Sequence, residues 1–183
     1  MSLDTPTQSG PPAGYFPVEG DHITFGVIDV KPYQQRDYDT QEPVFWDVAK
    51  TEPKMGRRIT ALVTDHSPTA AKGGKNNNEP LTVGDIVTFW CEGSKWIAYS
   101  TALKAAGGID RGDVCRWDRT ADKPNQNPRL NAAHTFTMRL RKPTAEDGDL
   151  VARCTQAYND LNTQRLDDAP QGDPFPADNG VGF

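Results

Sequence analysis

Aromatic side chains interleaved with basic ones are the residues of this chain best suited to chemistry. Tyr33 and Tyr38 lie in a polar segment with Lys31 and Arg36, and Trp46 follows it. Trp90 alternates with Phe89 and Cys91, Trp117 lies between Arg116 and Arg119, and Arg139 and Arg141 end a later run. Rings beside cations suit a single-stranded nucleic acid. Each base offers a π-face to a ring, worth about 1–3 kcal/mol, while the cations take the phosphates. Residues 111–142 carry an excess of five positive charges, which fits a backbone-tracking surface.

Other chemistries lack their residues. There is no G-x-S-x-G, P-loop or H-E-x-x-H pattern, and His22, His66 and His134 are widely scattered. Most carboxylates sit in turns, where Asp serves as a turn former. No catalytic set, metal site or cofactor is expected, and the chain reads as a non-enzyme. Cys91, Cys115 and Cys154 form no C-x-x-C pair, so buried reduced thiols are expected.

The elements that would position these residues follow from periodicity. Residues 1–20 are rich in Pro, Gly, Ser and Thr, and read as a disordered lead-in. Strands are predicted at 21–30, 57–64, 86–91, 112–118 and 134–141, each β-branched or alternating. Residues 66–80 read as a flexible loop. Ser94 is a candidate N-cap for a helix that buries Trp96, Tyr99, Leu103 and Ala106 and stops at Gly107-Gly108. In the last strand His134, Phe136, Met138 and Leu140 share the core face, and Thr135, Thr137, Arg139 and Arg141 the other.

Three strands, a helix and two strands give a mainly β fold. The predicted architecture over 21–143 is a five-stranded antiparallel OB-type barrel with one helix between the third and fourth strands. Phe25, Phe89 and Phe136 fall on core phases, whereas Trp90 and Trp117 can face either core or groove. Leu150, Cys154, Tyr158 and Leu161 recur at helical spacing, so residues 144–166 are expected to supply a packing helix. Residues 167–183 read as a disordered acidic tail.

The net charge of −5 divides unevenly. Residues 1–20 carry −2, 21–143 carry +3 and 144–183 carry −6. A basic working surface with an acidic appendage is the implied layout. No apolar run suits a membrane span, and the first residues lack the basic and apolar regions of a signal peptide, so a cytoplasmic protein without membrane contact is expected, in a host cell if viral.

An OB-type domain followed by such a tail resembles the bacterial and phage single-stranded-DNA-binding proteins. The helix W-I-A-Y-S-T-A-L-K-A-A-G also looks like that of small actinobacteriophage replication proteins. The resemblance implies non-sequence-specific binding of single-stranded DNA in replication, recombination or repair. It further implies that Asp167, Asp168, Asp173, Asp178, Phe175 and Phe183 dock partner proteins or compete with DNA for the groove. The ring and cation set for DNA would be Lys31, Tyr33, Arg36, Tyr38, Trp46, Trp90, Arg116, Trp117, Arg119, Arg139 and Arg141. Two other readings use the same barrel. One is a protein-interaction or virion accessory module without DNA; the other is a small hydrolase or sugar-binding domain, whose clustered carboxylates the sequence does not contain.

Overall fold

Alternation builds the sheet and gives each of its faces a core. In the computed structural model, residues 10–37, 40–74, 77–124 and 133–167 are described. The elements are β1 (Ala13–Tyr15), β2 (His22–Gln34), β3 (Met55–His66), β4 (Ala71–Gly74), β5 (Asn77–Pro80), β6 (Ile86–Cys91), α1 (Gly93–Ala106), β7 (Val114–Lys123), β8 (Ala133–Arg141) and α2 (Gly148–Asp167). Ile23, Phe25 and Val27 of β2 join Ile59, Ala61 and Val63 of β3, Val87 and Phe89 of β6, and Cys115 and Trp117 of β7 in the main core. Each such large apolar side chain contributes about 1.5–3 kcal/mol on burial. Alternation turns Ile28 to the opposite face, and the register shift between Val27 and Asp29 returns Val30 to the main-core side.

There α2 packs. Cys154 and Ala157 meet Ile28 and Leu62, with Leu150, Tyr158, Leu161 and Ile86 around them. Gly26 permits the approach: a Cβ on it would lie 2.7 Å from Cys154 Sγ and 2.8 Å from Leu150 Cδ1. The predicted helical spacing of these four α2 residues thus corresponds to a real seam. The face bearing the main core is here the inner face, and the face under α2 the outer one.

The expected closed five-stranded barrel does not form. Eight strands make one curled open sheet in the order β5-β4-β1-β6-β3-β2-β7-β8. The five anticipated strands are the run β6-β3-β2-β7-β8, and among the described residues β6 and β8 do not pair. Helix α1 meets β8 instead: the Ser94 hydroxyl donates to the His134 carbonyl at 2.6 Å. Ser94 is therefore not the N-cap. Glu92 takes that position, without a side-chain cap bond.

Three further strands lie in segments expected to lack order. β1 pairs antiparallel with β4 and touches β6 in parallel at Ala13 and Thr88, and Phe16 beyond it is buried against Phe89 and Phe136. β4 and β5 pair within the expected loop. The predicted stripe of α1 holds in part: Tyr99 is buried and Leu103 packs against the core, but Ala98 and Ala102 complete the buried face and Trp96 is exposed. Among the described residues, no helix is long and apolar enough to cross a membrane.

Candidate nucleic-acid interface

Beyond Gly26, β2 outruns β7 and pairs only with β3. Its last residues and the facing ends of β3 and β6 therefore form one end of the sheet. Register sets Lys31 opposite Arg58, and Arg58 opposite Trp90. All three belong to the outer phase, opposite to Ile59 and Phe89. The Arg58 guanidinium lies 5.7 Å from the Trp90 ring centroid, within cation–π range. Tyr33 meets Trp90 edge-on at 4.7 Å and 89°. Gly56 makes room for that ring, since a Cβ there would come within 2.6 Å of Tyr33 Cζ. Burial, with Glu92 nearby, pushes the Tyr33 hydroxyl pKa above the usual phenol range, so the ring stays neutral.

The arm between β2 and β3 extends this end. Its backbone is tied by bonds from the Gln35 amide to the Lys54 carbonyl, Val44 to Gln35, Lys54 to Val44 and Trp46 to Glu52. Asp47 fastens the tip, accepting from the Thr51 hydroxyl at 2.6 Å and from the Thr51 and Glu52 amides. Those bonds, the Thr51 hydroxyl first, hold its carboxyl down to about 2. The arm holds Trp46 out to solvent, 68 % exposed, with Lys54 Nζ 4.7 Å over its ring. Trp46, Lys54, Met55, Arg57 and Trp96 line a cleft of about 390 Å³. Among the described residues, Lys54, Arg57 and Arg58 form no ion pair.

The opposite side of the outer face carries Arg116, Arg139 and Arg141, which line a 490 Å³ hollow on β7 and β8 with Thr24. Each has an acid. Arg116 and Arg139 reach Asp118 at 2.8 and 3.1 Å, and Arg141 reaches Asp147 at 2.6 Å. Burial opposes ionisation of Asp118, but the two arginine hydrogen bonds win and lower its pKa. Arg141, followed by the Thr144 amide and hydroxyl, does the same for Asp147.

Of the anticipated residues, the sheet brings Lys31, Tyr33 and Trp90 together and adds Trp46 at the same end. Arg36 is exposed there, bonded to the Gln41 carbonyl at 2.9 Å. Two assignments are corrected. Trp117 is fully buried in the main core beside Phe89 and Phe136, so no base can reach its ring. Arg119 shares its inner phase and is buried. It donates to the Phe16 and Pro17 carbonyls and pairs with Asp122, clamping the N-terminal strand. Tyr38, Asp168, Asp173, Phe175, Asp178 and Phe183 lie outside the described residues, and Asp167 ends α2. Arg58, Lys54, Arg57 and Trp96 were not anticipated. Arg58 had a signal: it precedes Ile59 on the non-core phase.

No known protein family, curated protein or solved structure matches the chain.

Proposed function

We propose that the protein binds single-stranded DNA without sequence preference, as a non-enzymatic component of DNA replication or recombination of the kind found in bacteria and their phages. The observation that carries this reading is the set of rings under unpaired cations at one end of the sheet: Trp90 beneath Arg58 with Tyr33 at its edge, and Trp46 beneath Lys54. The strand run β6-β3-β2-β7-β8 with a helix after β6 follows the OB strand order left open at its seam. In that fold the second and third strands and the first loop take oligonucleotides, and these correspond to β3, β6 and the arm. Bases would stack on Trp90 and Trp46 while Lys54, Arg57 and Arg58 meet phosphates; Lys31, paired with Asp29 at 3.1 Å, would first exchange that acid. The acidic residues of 168–183 would recruit partner proteins or compete for the same cations.

Titration with poly-dT tests this. Quenching of tryptophan emission, with log affinity falling by about 0.7 per phosphate neutralised as log salt rises, is the expected result. Absence of salt-sensitive binding at low ionic strength would contradict it. One observation favours a protein-interaction module instead: Val48 and Ile97 stand 100 % and 66 % exposed near Trp46 and Trp96. A partner retained after nuclease treatment, with no poly-dT binding, would select that second reading.

A further inference from the structure

A cavity of about 710 Å³ lies beyond Trp90 where β1, β6, the start of α1 and β8 converge. Tyr15, Phe16, Trp90 and Phe136 give it aromatic walls. Lys95 lines it as well, its Nζ 5.5 Å from the Phe16 centroid and 5.0 Å from that of Phe136. Among the described residues, Lys95 Nζ forms neither an ion pair nor a hydrogen bond. Burial lowers its pKa, and the nearby Cys91 and Glu92 only partly offset that. Glu92 lines the cavity as well, but Lys95 forms no ion pair with it, and a cation desolvated between two rings is suited to an incoming anion. The helix adds to this. Gly93 and Ser94, at its start, also line the cavity; the Glu92 carboxylate at the N-cap makes no cap bond, and the first turn beyond it holds no acidic residue. The Lys95 and Trp96 amides donate to the Glu92 carbonyl, but those of Gly93 and Ser94 are free among the described residues, and with the positive dipole end they favour negative charge at the same place. Arg119, at the wall, contributes no free charge, because Phe16, Pro17 and Asp122 occupy its guanidinium.

We propose that this cavity is a nucleoside-phosphate site, with the phosphate held by Lys95 and the first amides of α1 and the base against the Tyr15 and Trp90 rings. Resting on the single-stranded-DNA reading, the occupant is one nucleotide turned out of the row stacked on the sheet end. A free mononucleotide presents the same chemistry. Gly93 lines both this cavity and the Trp46 cleft, so a strand leaving the cleft reaches the cavity at the start of α1.

The test titrates thymidine monophosphate and a fifteen-residue oligo-dT against the wild type, Lys95→Gln and Lys95→Arg, following tryptophan emission, with circular dichroism to verify folding. Expected are saturable mononucleotide binding, weakened about tenfold by Lys95→Gln and retained by Lys95→Arg. The oligo-dT salt slope should fall by about 0.7 in Lys95→Gln. Oligo-dT binding by the wild type with neither mononucleotide affinity nor salt slope altered in Lys95→Gln overturns the cavity alone. Lys95-dependent mononucleotide binding without oligo-dT binding upholds the cavity as a free-nucleotide site and overturns the strand reading. Binding of neither ligand overturns both.

Discussion

Two groups of cations in this molecule differ in what they touch. At the β2–β3–β6 end, Arg58 and Lys54 lie on the faces of Trp90 and Trp46 and form no ion pair. At the β7–β8 side, Arg116, Arg139 and Arg141 hold Asp118 and Asp147 at 2.6–3.1 Å. Exposed pairs of that kind contribute little stability, about 0–1 kcal/mol each. They still matter for binding, because an arginine already neutralised by a carboxylate must exchange it before meeting a phosphate, with little net gain. The difference shows that total charge and available charge are separate quantities. Residues 111–142 hold the excess of positive charge, yet Arg116, Arg139 and Arg141 are already paired, and Arg111 lies over Tyr158 at the α2 seam.

The largest expected effect separates core ring from interface ring. Trp117→Ala removes a fully buried side chain and should cost about 3–5 kcal/mol of folding stability, read by denaturant unfolding. A loss below about 1 kcal/mol would return Trp117 to the candidates for stacking. Trp46→Ala should leave the unfolding midpoint nearly unchanged, since the ring is mostly in solvent, and weaken poly-dT binding by about 1–3 kcal/mol. Unaltered affinity would detach the arm from the interface.

The smallest effect concerns the tip of that arm. Asp47 has its pKa depressed from 3.8 to about 2 in the folded protein. Its hold on Thr51 and Glu52 is thus fully present above pH 4 and is lost as pH falls through about 2. Tryptophan emission should shift over that window, and the shift should shrink in Trp46→Phe. Asp47→Asn should reproduce the change at pH 7; identical emission would show that other bonds hold the tip.

Much of the frame was legible from residue periodicity. The five strands, α1 and the α2 seam all follow hydrophobic alternation or helical spacing that survives folding. β1, β4 and β5 were not legible, because Ala13, Gly14, Ala71 and Gly73 carry too little side chain to show a period. Closure failed for a related reason: nothing in the β8 pattern reveals that α1, rather than β6, meets it. At the site, Trp117 and Arg119 share the odd phase of Cys115, so their burial could have been read from alternation alone. The pairing of Arg58 with Trp90 could not, because it depends on a register between β3 and β6, which are separated in sequence by β4 and β5.

On this reading the ring-bearing end, rather than the arginine-rich side, meets the nucleic acid. The most direct measurement is the salt dependence of poly-dT affinity in two double variants, Lys54→Gln with Arg58→Gln, and Arg116→Gln with Arg139→Gln. The first should lower the magnitude of the slope by about 1.4, at about 0.7 for each phosphate no longer neutralised, and the second by much less. The opposite ranking would place the interface on β7 and β8 and contradict that reading.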